Sequence, residues 1–225
     1  MSEPGTAVTL DYAGCAHPAE GVGPGARVLL WVRGCARGCP GCMSADLWAP
    51  GAGVDVTLVA AELEAPLAQL GHLTISGGEP FEQAPALLAL LRLLRRRLDF
   101  DVLAYSGYTV EELRAMGGAP AELLDSIDIL VDGPYVEDAP NTLQWRGSDN
   151  QRVHALSSRG RSFAAELDLP MPEQRPLSVQ QLPSGGLRVF GIPRRGDMER
   201  LFAALAERGV AVVASGGAAG RSGVE

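Results

Sequence analysis

The chain has 225 residues, 46% of them apolar, and a formal net charge of −8, which gives room for one domain, or one with a small appendage, of globular composition. The acidic balance argues against nucleic-acid binding, which needs a basic footprint, and no apolar run approaches the roughly 20 residues of a membrane span. Met1 to Gly5 carries no basic stretch leading into an apolar one, so no secretory leader is expected and the cytoplasm is the expected location.

Ala26 to Val32 is a short apolar run that reads as a buried strand. Thr57 to Leu70 has apolar residues at helical spacing and stops at Gly71, a C-cap residue. Leu73 to Ser76 reads as a second strand running into Gly77, Gly78, Glu79 and Pro80. Ala84 to Leu98 is an amphipathic helix whose arginines, Arg92, Arg95, Arg96 and Arg97, crowd its C-terminal end and suit the macrodipole. Asp101 to Tyr105 is a third strand, Thr109 opens a short helix with Glu112 at the capping-box position, and Ile127 to Val131 is a fourth strand.

Strands alternating with helices predict βαβ units around a parallel sheet. Each motif falls just after a strand, where such sheets hold ligands. Four or five units are too few for a closed eight-fold barrel, so the expected fold is α/β, a partial (open) parallel β/α barrel over residues 1–158. Residues 159–176 are polar and proline-bearing and read as a connector. Residues 177–225 read as a small α+β appendage: a hairpin over Ser178 to Ile192, a helix over Gly196 to Arg208, a strand over Val210 to Ala214 and a frayed tail.

All 19 basic residues are Arg, which excludes Schiff-base chemistry and a lysine base. Three of the four cysteines, Cys35, Cys39 and Cys42, lie within eight residues, which points to metal or redox chemistry rather than a disulfide framework. The C-x3-C-x2-C spacing can put each thiolate on a separate iron of a cubane, leaving a fourth iron open, whereas electron-transfer clusters usually have four cysteines. Flanking glycines let the loop fold tightly and aim amides at the sulfurs. A structural zinc site with Cys15 or His17 as fourth ligand is the alternative for this donor set. Cys15 reads as a bystander thiol.

Followed by Gly77-Gly78-Glu79-Pro80, the cysteine motif resembles the radical S-adenosylmethionine superfamily. Gly23-Pro24-Gly25-x-Arg27, Cys39-Pro40-Gly41-Cys42, Tyr105-Ser106-Gly107-Tyr108-Thr109, and Asp132-Gly133 with Arg146-Gly147-Ser148-x-Asn150-Gln151 resemble, more closely, the glycyl-radical-enzyme activases of anaerobic ribonucleotide reductase and their relatives. The resemblance implies a [4Fe-4S] cluster on Cys35, Cys39 and Cys42, with S-adenosyl-L-methionine chelating the open iron. It implies that Gly77, Gly78, Glu79 and Pro80 receive the cofactor's ammonium group and that Ser106 bonds its ribose or carboxylate. Gly41 and Met43 would contact the adenine, Asp132 would face the same rim, and the polar cluster Arg146, Asn150 and Gln151 would bind the cofactor's carboxylate or the partner polypeptide.

Each of these has an ordinary reading too: a strand-to-helix turn for Gly77 to Pro80, a helix cap for Ser106, a turn residue for Asp132, a solvated loop for Arg146 to Gln151. His72 and His154 read as structural, and Trp48 and Trp145 as rim or packing. The implied reaction takes one electron from flavodoxin or ferredoxin and cleaves the cofactor to a 5′-deoxyadenosyl radical, which abstracts hydrogen from a backbone glycine of a partner enzyme. Another peptide or a small metabolite is the alternative substrate, since the appendage is extra to a minimal activase. A zinc-binding interaction domain is the non-enzymatic alternative.

Overall fold

Four of the apolar runs become neighbours in one sheet. The computed structural model describes residues 7–181 and 186–210, so all but Val210 of the strand expected at Val210 to Ala214, the tail and the hairpin tip lie outside the described residues. In chain order the elements are β1 (Thr9–Leu10), β2 (Tyr12–Ala19), β3 (Arg27–Val32), β4 (Val54–Asp55), α1 (Val56–Leu70), β5 (His72–Gly77), α2 (Ala84–Arg95), β6 (Asp101–Tyr105), α3 (Val110–Met116), α4 (Gly118–Asp125), β7 (Ile129–Asp132), β8 (Arg152–Ala155), α5 (Ser158–Arg161), β9 (Leu177–Gln181), β10 (Leu187–Gly191) and α6 (Asp197–Ala206). The main sheet has the order β2-β3-β5-β6-β7-β8. Its four central strands are parallel, and β2 and β8 close the edges antiparallel. The fold is α/β with a central, mostly parallel sheet.

Every residue of β3 is buried, as a strand covered on both faces requires. Alternation then sorts side chains between two cores. Leu73 and Ile75 of β5, Val102 and Ala104 of β6 and Leu130 of β7 pack with buried residues of α1, α2 and α4. On the other face Leu103, Ile129 and Val131 pack with Trp145 and Leu167, and Leu29 and Trp31 with Phe190. The Trp31 and Phe190 rings meet edge-on with centroids 5.2 Å apart, and the Arg188 guanidinium lies 4.9 Å from the Trp31 centroid. The hairpin thus covers part of the sheet.

Local signals agree with the helices. Asp55 caps α1, and Gly71, at φ 69°, ends it. Thr109 and Glu112 form a reciprocal capping box at α3.

The N-terminal ends of β3, β5 and β6 are tied by Arg27, which is fully buried. Its Nε donates to Thr74 Oγ1 at 2.7 Å and its two terminal nitrogens to Leu73 O at 2.8 Å and Pro24 O at 3.1 Å, and it forms an ion pair with Asp101. His72 Nδ1 bonds the other Asp101 oxygen. Arg27→Met keeps most of the volume but strips Asp101 of its cation. Such a change should cost about 3–5 kcal/mol in urea denaturation; a loss below about 1 kcal/mol would mean that the pair does not hold these strand ends.

Candidate functional site: a cysteine loop against a glycine turn

β3 and β5 run parallel, so the segments leaving their C-terminal ends must turn side by side. Gly78 N donates to Val32 O and Glu79 N to Gly34 O, each at 2.8 Å. A Cβ on Gly77 would lie 2.3 Å from Val32 O, and one on Gly78 2.1 Å from Gly34 O. No side chain fits there, because carbon cannot approach a backbone oxygen so closely. The glycine turn therefore packs backbone on backbone against the start of the cysteine loop, one residue before Cys35.

The loop is closed at its base by Gly34 N to Leu47 O at 2.8 Å and Cys35 N to Trp48 O at 3.0 Å. Cys35, Cys39 and Cys42 are free, half-buried thiols. Burial pushes the Cys35 and Cys42 thiols up. The amides of Gly38 and Arg37 at Cys35, and the Ser44 amide with Trp48 at Cys42, work against that by favouring thiolate. Among the described residues no three His, Cys, Asp or Glu side chains gather so as to hold one ion. A cubane seats each thiolate on its own iron and needs no common point. Three free thiols, two of them with amides turned to the sulfur, form a donor set that fits it. Cys15 sits in β2 opposite Leu30, with its Sγ 3.3 Å from Glu62 Oε1.

Glu79 is 1% exposed. Its carboxylate accepts from Phe81 N at 3.0 Å, Ser106 Oγ at 3.0 Å and Gly107 N at 2.7 Å, joining the ends of β5 and β6. Burial pushes its carboxyl up to about 7, against those three hydrogen bonds, which favour the ionised form. Outside this contact lies a second one. Glu82 accepts from Ala36 N at 3.1 Å and from Tyr108 OH at 3.2 Å, while the Arg37 guanidinium lies 4.6 Å from the Tyr108 ring centroid. The sequence reading missed the roles of Arg37, Glu82 and Tyr108. Their positions inside or beside the quoted motifs were the available signal.

The structure thus brings the cysteine loop, Gly77 to Pro80 and Ser106 together. Ser106 Oγ is engaged, donating to Glu79 and accepting from Tyr108 N at 3.0 Å. Gly41 lies against Glu137, whose side chain would meet an added Cβ at 2.5 Å. Met43 is 54% exposed. Asp132 ends β7 fully buried, accepting from Val110 N at 2.7 Å and from Arg152 at 2.6 and 3.0 Å, with His154 Nε2 at 3.1 Å. Burial alone would raise Asp132; Arg152, the Val110 amide and His154 outweigh it and hold the carboxyl below its usual range. Arg146 is 3% exposed and donates to Asp168 at 2.5 Å, while its Nε and Nη1 have no partner among the described residues. Asn150 and Gln151 bond Pro134 O and Gly133 O, folding their own loop. Trp145 packs in the core at φ 60°, and Trp48 faces Cys42.

Two outcomes follow from this geometry. Gly78→Ala drives a carbon into Gly34 O and should cost at least about 2 kcal/mol, with iron retained after anaerobic reconstitution falling in parallel; full iron loading would show that the close approach is dispensable. The Glu79 carboxyl rises from an ordinary 4.5 to about 7 on folding, so the folded chain binds that proton more tightly. Its stabilisation is complete below about pH 4.5 and is lost as pH climbs toward about 7. Denaturation of cluster-free protein between pH 5 and 8 should show a fall of up to about 3 kcal/mol that Glu79→Gln removes; equal pH slopes in the two proteins would refute the shift.

A family model described as "4Fe-4S single cluster domain" matches residues 22–154. The anaerobic ribonucleoside-triphosphate reductase-activating protein of Salmonella typhimurium is 35% identical over 143 residues, 60% of this chain and 91% of the relative. The protein of that name from Vibrio cholerae is 37% identical over 145 residues, with the same shares. The one from Enterobacteria phage T4 is 32% identical over 137 residues, 58% of this chain and 85% of the relative. The family match contains the three clustered cysteines, the glycine turn and Ser106, and the chain belongs to this 4Fe-4S single-cluster family and to the anaerobic ribonucleoside-triphosphate reductase-activating proteins.

Proposed function

We propose that the protein is a radical S-adenosylmethionine activase, which reductively cleaves that cofactor to a 5′-deoxyadenosyl radical and places a glycyl radical on a partner enzyme. The partner would be an anaerobic ribonucleotide reductase, by analogy with what the relatives' name says they activate. The observation carrying this reading is the fit of the Gly77-Gly78 backbone against the start of the cysteine loop, which sets a buried carboxyl at the base of the loop that carries three free thiols. The sheet would be the wall of a partial barrel, with residues 1–158 as the radical unit, 159–176 as connector and 177–225 as appendage.

Cys35, Cys39 and Cys42 would hold a [4Fe-4S] cluster as thiolates. When bound, the reduced cluster and S-adenosylmethionine together supply the radical that takes hydrogen from the substrate glycine. Glu79 and the carbonyls of the glycine turn offer acceptors to the cofactor's ammonium, and a cation there would hold Glu79 ionised. Ser106, donating to Glu79, orients that carboxylate. Gly41 and Met43 would meet the adenine. Asp132 supports the rim by holding the first turn of α3 through the Val110 amide. Arg146 keeps two buried donors for a carboxylate or for the partner's backbone. Flavodoxin or ferredoxin would deliver the electron.

A second reading, radical modification of another peptide or of a small molecule, is favoured by one observation: β9, β10 and α6 lie beyond the span that matches the family.

The test is anaerobic reconstitution with iron and sulfide, reduction with dithionite and assay of 5′-deoxyadenosine. Product should form, fall to background with Cys39→Ala and persist with Cys15→Ala. A fully loaded cluster that yields none with several reductants would overturn the proposal. A glycyl-radical signal on a co-incubated anaerobic ribonucleotide reductase separates the first reading from the second.

A further inference from the structure

A cleft of about 590 Å³ opens between the loop after β7, the segment ahead of β9 and the turn into α6. Three arginines line it, Arg175, Arg194 and Arg195, against one carboxylate, Asp138. Neutral oxygens hold each guanidinium. Arg175 donates to Asn141 O at 2.6 Å, to Pro193 O at 3.1 Å and to the Asn141 side-chain oxygen. Arg194 donates to Pro172 O at 3.3 Å and Arg195 to Ala139 O at 3.0 Å. Carbonyl acceptors fix where a guanidinium points and leave its charge intact.

Among the described residues none of the three forms an ion pair. The neighbouring acids are committed elsewhere. Asp197 accepts from the Arg194 amide and from Arg200, and Asp149 from Thr142 and the Leu143 amide. Arg175 Nε is buried without a partner among the described residues. Burial, then the like charge of Arg194, pulls Arg175 below its ordinary value against the attraction of Asp197 and Asp149, so the two guanidiniums repel. In a chain of net charge −8 such a cluster runs against the general balance. An anion relieves the repulsion.

Guanidiniums take phosphate oxygens in pairs, with more geometric selectivity than an ammonium. Three of them around a space in the usual range for small-molecule sites suit a ligand larger than a single ion. We infer that this cleft binds a phosphate-bearing small molecule of nucleotide size, its phosphate chain lying among Arg175, Arg194 and Arg195. No residue of the cysteine loop lines it, and all three arginines lie beyond the family match. The site is independent of the proposed radical chemistry.

Calorimetric titration of the full chain with inorganic tripolyphosphate and with adenosine triphosphate tests this. Both should bind, and excess S-adenosylmethionine should displace neither. Arg194 and Arg195 are exposed, so the double variant Arg194→Ala/Arg195→Ala should keep the wild-type melting profile. It should weaken both ligands at least about tenfold, the loss of one good charged contact, while Arg188→Ala leaves them unchanged. Tighter binding of the triphosphate nucleoside than of tripolyphosphate would point to a nucleotide; equal binding would point to the phosphate chain alone. No heat at millimolar ligand, undiminished binding by the double variant, displacement by S-adenosylmethionine, or tighter binding of a glutamate-rich peptide would each overturn the inference.

Discussion

The site depends on one steric constraint: two parallel strands end so close together that the segments leaving them touch through bare backbone. Gly77 and Gly78 have no room for a Cβ against Val32 and Gly34, and the two amide-to-carbonyl bonds across that contact set the start of the cysteine loop relative to Glu79. Glu79 then bonds the Gly107 amide and Ser106, which sets the end of β6. Strand order therefore dictates the site. A one-residue slip of β5 against β3 would exchange the faces of Leu73 and Thr74 and part the cysteine loop from Glu79 together.

The two ends of the sheet treat buried charge differently. At the N-terminal end Arg27 and Asp101 neutralise each other, with Thr74, Leu73 and Pro24 taking the remaining donors. That arrangement resists change, since removing either partner strands the other in the core. At the C-terminal end Glu79 has three donors and, among the described residues, no cationic partner. Its ionisation is consequently poised near neutrality and responsive to whatever arrives beside it. Asp132, two strands further along at the end of β7, is locked by Arg152 and belongs with the structural charges.

The four parallel strands were legible because a strand buried on both faces must be an apolar run, and Arg27–Val32, His72–Gly77, Asp101–Tyr105 and Ile129–Asp132 are such runs. The edge strands were not. β2 carries Gly14, His17 and Pro18 and its pairing with β3 breaks register, while β8 has four half-buried or exposed residues, so neither has a readable period. In the site the cysteine spacing and the glycine pair were readable as local patterns. The partners of Glu82 were not, because Ala36 and Tyr108 lie 46 and 26 residues away in the chain. Asp132 shows the same limit: a residue at a strand end can face a ligand or a neighbouring arginine, and only the pairing of β7 with β8, which puts Arg152 opposite it, decides.

That pairing also bears on how the C-terminal residues relate to the rest. The face of the sheet turned away from α1, α2 and α4 exposes Leu29, Trp31, Leu103, Ile129 and Val131 to whatever covers it. Trp145 covers part and lies within the family match, but Leu167 and Phe190 lie beyond it. Phe190 meets Trp31 edge-on, Arg188 lies over the same ring, and Gln180 donates to Cys15 O at 3.2 Å, so β9 and β10 are fastened to β2 and β3 by apolar and polar contacts alike. A segment that fills part of the sheet's second face contributes burial to the whole, at about 25 cal/mol for each Å² of apolar surface covered. The arginine cleft is built at the far side of that same segment, between it and the loop that follows β7. Its three guanidiniums are held by carbonyl and amide oxygens rather than by pairing with carboxylates, which is what leaves their charge available.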